Sequence, residues 1–176
     1  GLSSRIGDRA KVGPFTYLRP GTILSEDTKV GGFCETKNIR VGAGSKIPHL
    51  SYVGDATIGE QTNIGAATIF ANYDGVNKHH TNVGSYCRTG SNNVFVAPIN
   101  IGDGVYTGGG TIVRQDIPSG SLAVNDMKMR LLPGWVEKHR PDTDAAKAAR
   151  GEFGTKQGED LAPGDANGID PGEDAN

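Results

Sequence analysis

The sequence predicts an all-β fold, a parallel β-helix of hexapeptide repeats with the shape of a triangular prism. An aliphatic residue recurs every six residues through most of residues 6–118, a period that neither an α-helix nor a hairpin meander explains. The fifth residue of each repeat is small or β-branched, which favours strands. The chain has 27 glycines and only 6% aromatic residues, which indicates many corners, where glycine accepts unusual backbone angles, around a thin aliphatic core.

The repeat also predicts which side chains fill the bore of the prism. The leading aliphatic residues should point inward, and they are Ile6, Val12, Leu18, Leu24, Val30, Val41, Ile47, Val53, Ile58, Ile64 and Phe70, followed by positions from Val83 to Val113. The fifth-position residues should lie beside them, and they are Ala10, Thr16, Thr22, Thr28, Cys34, Ser45, Ser51, Thr57, Thr62 and Thr68. Three repeats make one coil, so the run predicts about six coils. Cys34 and Cys87 occupy fifth positions and are expected to be buried core residues rather than catalytic thiols.

The period is interrupted in three places. Five-residue steps occur at Thr36–Arg40 and at Val53–Thr57, and 13 residues separate Phe70 from Val83. The segment Ala71–Asn82 contains NYDGVNKHH, which is polar and rich in turn-forming residues. We therefore expect it to leave the prism as a loop.

Composition changes after the repeats and predicts three parts of the chain. Residues 1–125 should form the β-helix domain, and residues 126–140 a packing segment in which Trp135 holds the chain against the prism or a neighbour. Residues 141–176 carry nine acidic and three basic residues with few apolar ones, which predicts a disordered acidic tail. The chain opens inside the repeat without a start methionine, so a fragment of a longer protein is expected.

Charge and cysteine content favour a cytoplasmic protein without nucleic-acid or membrane partners. The net charge is −2, which gives no electrostatic reason to expect nucleic acid. No apolar run approaches the roughly 20 residues that span a bilayer. Two cysteines without a close CxxC pair are too few for a disulfide scaffold, so a reducing compartment is the default.

Several polar residues could carry chemistry. Arg19 and Lys37 are 18 residues apart, which stacks them on one face, either as a clamp for a phosphate group or as a solvated charged surface. His49 follows Pro48, Tyr52 is three residues further on, and Asn63 should lie near on the next coil. A neutral imidazole is a suitable general base, although a lone histidine is more often structural. The other histidines, His79, His80 and His139, are not spaced to converge with His49, so no metal site is expected.

The segments VGPFTYLRPGT, GGFCETKN, KIPHLSYVGDATIGEQTNIGA, NYDGVNKHHTNVG and GSNNVFVAPINIGDGVYTGGGTIV carry a family resemblance over residues 6–125. They resemble the acetyltransferase half of the bifunctional N-acetylglucosamine-1-phosphate uridylyltransferase/glucosamine-1-phosphate N-acetyltransferase enzymes. The resemblance implies a left-handed β-helix and a homotrimer with active sites between subunits. It also implies acetyl-CoA as co-substrate and glucosamine-1-phosphate as acceptor, in the cytoplasmic synthesis of UDP-N-acetylglucosamine for peptidoglycan and the cell wall.

The resemblance also implies a role for individual residues. His49 is the general base; the sugar phosphate is bound by Arg19 and Lys37, the sugar by Tyr52 and Asn63, and acetyl-CoA by Ala66, Asn72, Tyr73, Ser91 and Gly109, while Lys78 reaches a neighbouring subunit's site. Two positions depart from the family pattern: Gly109 stands where alanine is common, and Asp126 where some members have an arginine that meets the coenzyme. Lys128 and Arg130 are candidates to replace that arginine.

The uridylyltransferase half, to which Mg²⁺ would belong, has no counterpart in this chain. We expect acetyl transfer in a ternary complex, with the oxyanion stabilised by corner backbone N–H groups or by Asn72. The alternatives are an acyltransferase for another amino sugar, a zinc carbonic-anhydrase-like trimer on the same coil, and a non-catalytic scaffold.

Overall fold

A computed structural model describes residues 4–125 and 128–153. The chain divides into two compact units, Gly1–Met127 and Lys128–Asn176. The described part of the first unit contains only strands and connections. These strands are β1 (Ser4–Ile6), β2 (Lys11–Val12), β3 (Tyr17–Leu18), β4 (Thr22–Leu24), β5 (Lys29–Gly32), β6 (Glu35–Val41), β7 (Lys46–His49), β8 (Tyr52–Ile58), β9 (Ile69–Ala71), β10 (Thr81–Val83), β11 (Val94–Val96), β12 (Ile99–Ile101), β13 (Tyr106–Thr107), β14 (Ile112–Val113) and β15 (Leu122–Ala123).

The strands stack in parallel on three faces of a left-handed β-helix, which confirms the predicted fold. Face 1 comprises β3, the first halves of β6 and β8, then β9, β11 and β14. Face 2 comprises β1, β4, the second halves of β6 and β8, then β10 and β12. Face 3 comprises β2, β5, β7, β13 and β15, with bridges at Asn63 and Arg88 between the two groups.

The structure has about seven turns, one more than the sequence predicts. Ser4 pairs with Thr22, a step of 18 residues, whereas Glu35 pairs with Tyr52, a step of 17. The five-residue repeats shorten their turns by one residue each. They also let β6 and β8 run through a corner as unbroken seven-residue strands.

The corners show that glycine has a different role from the one we expected. Residues with positive φ recur every five or six positions from Arg9 to Ala67. Along the β-helix most residues with positive φ are not glycine: Arg9, Phe15, Asp27, Phe33, Asn38, Leu50, Asp55, Gln61, Ala67, Tyr86 and Asn92. Glycine instead follows the aliphatic residue, where the coils approach most closely. A Cβ atom on Gly7 or on Gly42 would lie 2.6 Å from backbone carbon of the next coil. The glycines of the repeat therefore allow the coils to stack.

The interior matches the predicted pattern except in the first turn, where Ala10, Thr16 and Leu18 are only half-buried, and at Thr57. Ile6 and Val12 are 55% and 40% exposed, because the first turn has a stacking neighbour on only one side. Thr57 points outward, where its hydroxyl lies 2.9 Å from Nε2 of His80, and Ala56 is buried in its place. Cys34 and Cys87 are buried, as predicted, and burial raises the pKa of the Cys34 thiol.

The predicted loop is present, with narrower bounds. Because β9 ends at Ala71 and β10 begins at Thr81, it spans residues 72–80. Ile69 pairs with Val94, 25 residues later, so the loop adds seven residues to an 18-residue turn. The Asp74 carboxylate stabilises the turn of this loop, because it accepts hydrogen bonds from the backbone N–H groups of Val76 (2.7 Å) and Asn77 (2.6 Å).

The described part of the second unit contains two short helices, α1 (Trp135–His139) and α2 (Asp144–Ala149). Helix α2 lies inside the segment predicted to be disordered. It forms because DAAKAA has high helix propensity and because the Thr143 hydroxyl accepts a hydrogen bond from the N–H of Ala146 (3.3 Å). The remainder of the predicted tail, residues 154–176, lies outside the described residues. The predicted packing role of Trp135 and the three domain boundaries remain predictions.

Within the described ranges, neither helix is long and apolar enough to cross a membrane.

Candidate active site

Four residues with predicted roles form a column along the corner between faces 3 and 1. Each immediately precedes a residue with positive φ, and in ascending order they are His49, Ala66, Ser91 and Gly109. The backbone N–H of Ala67 donates to the carbonyl of His49 (3.1 Å), that of Asn92 to Ala66 (2.8 Å), and that of Gly110 to Ser91 (2.8 Å). At about 4.8 Å a step, this His49 column is roughly 14 Å long.

An open apolar groove of about 540 Å³ surrounds the lower end of the His49 column. Pro14, Phe33 and Leu50 line it beside His49 and Ala66. His49 is exposed, and no hydrogen bond to its imidazole ring forms within residues 4–125 and 128–153. The ring is thus accessible to a ligand in the groove, as a general base must be.

On the outside of face 1, Arg19 and Lys37 stack as their 18-residue spacing predicts. Leu18 pairs with Thr36, and the N–H of Arg19 donates to the carbonyl of Thr36 (2.8 Å). Each cation has a carboxylate partner. Nη1 of Arg19 lies 2.9 Å from Oε1 of Glu35, and Nζ of Lys37 lies 3.0 Å from both carboxylate oxygens of Asp55.

Asp55 lies beside these candidate residues, although the sequence did not single it out. It is only 7% exposed, and it accepts hydrogen bonds from the side-chain amides of Asn38 (2.8 Å) and Asn72 (2.6 Å) as well as from Lys37. Burial alone would raise the pKa of the Asp55 carboxyl, but the hydrogen bonds from Asn38, Lys37 and Asn72 outweigh burial and lower it. One feature of the sequence could have identified Asp55: it lies 18 residues after Lys37, inside the second five-residue step.

Lys78 lies beside Lys37 of the same chain. The Lys37 ammonium group is the main cause that lowers the pKa of Lys78, and Arg19 adds to it. The loop folds back to bring Lys78 there: Tyr73 and Lys78 form an antiparallel bridge, and Nε2 of His79 lies 2.6 Å from Oδ2 of Asp74. The expected reach of Lys78 into a neighbouring subunit's site stays a prediction.

We call Arg19, Lys37 and Lys78 the cation cluster. With the carboxylates of Glu35 and Asp55 it carries one net positive charge. Hydrogen bonding to Asp55 is the largest cause that raises the pKa of Lys37, so this ammonium group stays protonated beside the other two cations. The arrangement suits an anionic ligand group.

Tyr52 belongs to the same face. Its ring lies across Gly54, where a Cβ atom would be only 2.8 Å from Cζ of Tyr52, and its hydroxyl accepts a hydrogen bond from Nδ2 of Asn72 (3.4 Å). Asn72 and Tyr73 therefore lie at the edge of face 1 opposite the His49 column. Tyr73 is 59% exposed. The residues that the resemblance assigns to acetyl-CoA thus lie at two opposite edges of face 1 within one chain.

Asn63 lies apart from Tyr52. Its backbone forms parallel β-bridges with Lys46 and Arg88 on face 3, and it lines a separate groove of about 140 Å³.

Asp126 lies outside the described residues, and Lys128 and Arg130 are exposed. In the parts of the chain that the structure describes, no three His, Cys, Asp or Glu side chains group as metal ligands would.

The fold and this site define an acetyltransferase of the hexapeptide-repeat β-helix class. Among solved structures, an N-acyltransferase from Bacillus cereus, AntD, superposes with a TM-score of 0.60 at 19% identity, covering 77% of this chain and 87% of that one. Perosamine N-acetyltransferase from Caulobacter crescentus gives a TM-score of 0.52 at 20% identity, covering 74% and 58%. At these identities the likeness concerns the fold.

Sequence relatives are much closer. The bifunctional protein GlmU of Corynebacterium diphtheriae is 59% identical over 150 residues, which cover 85% of this chain and 31% of the relative. The protein of the same name from Streptomyces avermitilis is 58% identical over 155 residues, covering 88% and 32%. No protein-family model matches the chain. The chain corresponds to the acetyltransferase part of these relatives and spans about a third of their length.

Proposed function

We propose that this chain transfers the acetyl group of acetyl-CoA to the amine of glucosamine-1-phosphate, giving N-acetylglucosamine-1-phosphate. The product would serve the cytoplasmic synthesis of UDP-N-acetylglucosamine for the cell wall. One observation carries the proposal: an exposed histidine begins a column of small residues, and the neighbouring face holds the cation cluster. The acetyl thioester can therefore bind along the corner of His49, and the amino-sugar phosphate can bind on the neighbouring face.

The His49 column supports a place for the coenzyme. Ala66, Ser91 and Gly109 have small side chains or none, so an extended pantetheine chain can lie against the corner without steric conflict. The neighbouring structures from Bacillus cereus and Caulobacter crescentus were determined with coenzyme A, which supports an acyl-CoA co-substrate in this chain as well.

His49 would act as the general base. A protonated amine has no free lone pair, so it cannot attack the thioester carbon until a base removes its proton. The imidazole takes this proton as the C–N bond forms, and the tetrahedral intermediate then collapses and expels the coenzyme A thiolate, which is protonated to the thiol. No acyl-enzyme is required, which agrees with the burial of Cys34 and Cys87.

The cation cluster would bind the sugar phosphate. Arg19 offers a planar fork of donors, and Lys37 and Lys78 offer two ammonium groups, so together they match a phosphate dianion. Tyr52, which lies between the cluster and the corner of His49, would contact the sugar ring.

A homotrimer would bring the separated residues together. Asn63, Asn72 and Tyr73 lie away from the His49 column within one chain. We propose that Asn72 and Tyr73 of one subunit complete the acetyl-CoA site of its neighbour, and that Asn63 of a neighbour contacts the sugar. Because the Asn72 amide is bound to Asp55, corner backbone N–H groups are the better candidates for stabilising the oxyanion.

Thiol release from acetyl-CoA tests the proposed reaction. The assay compares glucosamine-1-phosphate with glucosamine, with galactosamine-1-phosphate and with a nucleotide-linked amino sugar of the kind bound to the Caulobacter crescentus enzyme. We expect kcat/KM for glucosamine-1-phosphate to exceed that for each of the others by about tenfold or more, as for a site that pairs charged groups with its substrate. A higher kcat/KM with the nucleotide-linked sugar would overturn the proposal.

A further inference from the structure

We infer that Asp55 is a positioning residue of the sugar-phosphate site, whose carboxylate fixes the Lys37 ammonium group and the Asn72 amide without touching the substrate itself. The inference rests on the proposed function, because it concerns how that site is built. Its basis is the corner of the β-helix where faces 1 and 2 meet, at which Asp55 and Asn72 are buried.

The corner is a ladder of three polar side chains on successive turns, Asn38, Asp55 and Asn72. Asn38 and Asp55 have φ of 50° and 49°, the left-handed region that asparagine and aspartate accept most readily after glycine. Both amides donate to the carboxylate between them, one to each oxygen. The five-residue steps in the repeat bring these side chains into line.

Only an acceptor fits the middle of this ladder. The carboxylate of Asp55 receives Nδ2 of Asn38, Nδ2 of Asn72 and Nζ of Lys37, and an ionised carboxylate has acceptor sites for all of them. An amide at the same position would turn a donor toward at least one of these three donors. The ladder therefore requires aspartate for its charge and not only for its shape.

Lys37 is the residue through which Asp55 would act on the substrate. The Lys37 and Asp55 side chains are 20% and 10% exposed, so the pair lies mostly beneath the surface. Lys37 also lies beside a second ammonium group, that of Lys78, whose pKa it lowers because like charges repel. Asp55 holds the ammonium group in place against this repulsion, so that the cation cluster is assembled before the phosphate arrives.

The first test is Asp55→Asn, which keeps the size of the side chain and suits the left-handed corner. We expect KM for glucosamine-1-phosphate to rise about tenfold or more, the effect of losing a hydrogen bond between charged groups. KM for acetyl-CoA should change less than about twofold, because the oxygen of the new amide can still accept the hydrogen bond from Asn72. Asp27→Asn is the matched control, because Asp27 is also an aspartate at a left-handed corner (φ 56°) bound to a cation, Arg9. It should leave both KM values unchanged.

A double-mutant cycle with Lys37→Met separates positioning from general loss of structure. If Asp55 acts through Lys37, then Asp55→Asn should have no further effect on KM for glucosamine-1-phosphate in the Lys37→Met background. Additive effects of the two substitutions would overturn the inference. So would an Asp55→Asn enzyme with the wild-type KM, provided that the wild type acetylates glucosamine-1-phosphate. A wild type that does not acetylate it would instead refute the proposed function.

Asn38→Gly provides the second variant if Asp55→Asn does not fold. Glycine accepts the left-handed corner, and the change removes only one donor to Asp55. We expect KM for glucosamine-1-phosphate to rise about threefold, as for the loss of one hydrogen bond, with KM for acetyl-CoA unchanged. An unchanged KM for the sugar phosphate would count against the inference.

Discussion

The backbone N–H of Ala67 donates a hydrogen bond of 3.1 Å to the carbonyl of His49, which sets Ala66 directly above His49 at one corner of the β-helix. The same relationship repeats upward to Ser91 and Gly109. A residue proposed to remove a proton and residues proposed to bind the coenzyme therefore share one line of backbone hydrogen bonds. The geometry of the site follows directly from the stacking of the turns.

His49→Ala should abolish most turnover. Loss of a general base lowers kcat by about 10²–10⁴-fold, and because the imidazole forms no structural hydrogen bond in the described residues, the fold should persist. Steady-state kinetics and light scattering check both statements. His80→Ala is the control, since His80 bonds to Thr57 on face 2. Wild-type turnover in His49→Ala would refute the assignment.

Ala66→Val should weaken acetyl-CoA binding. Two added methyl groups would project from the His49 column into the proposed path of the pantetheine chain, so we expect KM for acetyl-CoA to rise about tenfold, comparable to other steric changes of this size. Ala43→Val is the matched control, because Ala43 holds the same position in its repeat, before Gly44 (φ 69°), at a different corner. Equal effects of the two changes would contradict the proposed path.

Mixed oligomers can show whether Lys78 and Lys37 act from the same chain. Since the Lys37 ammonium group lowers the pKa of Lys78 within one chain, Lys37→Ala and Lys78→Ala should damage the same site. Co-assembled Lys37→Ala and Lys78→Ala subunits should then show no more activity than the average of the separate variants. Recovered activity would place Lys78 in the neighbouring subunit's site, as the family resemblance implied.

Gly31→Ala should destabilise the β-helix strongly. A Cβ atom on Gly31 would overlap the backbone carbonyl of Pro48 in the next turn, and we expect a loss of about 1–3 kcal/mol or more, as for other overpacked interiors. The adjacent Gly32→Ala is the control, because its Cβ would approach only the Pro14 carbonyl, at 3.6 Å. Thermal unfolding should separate the two variants, and equal midpoints would contradict the close-approach explanation.

The loop should loosen only in strong acid. The His79 side chain, followed by the N–H groups of Asn77 and Val76, lowers the pKa of Asp74 from 3.8 to about 2. A lowered folded-state pKa means that this stabilisation is complete above pH 3.8 and is lost as the pH falls through about 2. Carboxyl NMR titration measures this pKa directly. A midpoint near 3.8 would show that the Asp74 contacts do not persist in solution.

Much of the scaffold could be predicted from sequence because one period determines it. Each six-residue repeat supplies an aliphatic residue to the bore, so the positions of Val30, Ile47 and Ile64 follow from counting. The stacking of Arg19 on Lys37 followed in the same way from their 18-residue spacing. Periodicity predicts which residues share a face, and here it did so correctly.

The remaining features depend on contacts that the period does not encode. Asp55 occupies a corner where the repeat predicts no inward side chain, and its importance becomes visible only when Asn38 and Asn72 are placed on either side of it. Lys78 lies in a loop whose path is determined by the bonds of Asp74 rather than by the repeat. Loop paths and corner contacts therefore required the structure.

The most direct test of the central claim is a crystal structure of the protein with coenzyme A and glucosamine-1-phosphate bound. We predict that the pantetheine chain follows Ala66 and Ser91, that the coenzyme sulfur lies within reach of the sugar amine beside His49, and that the phosphate contacts Arg19 and Lys37. Coenzyme A bound along face 2, or a phosphate away from the cation cluster, would contradict the account.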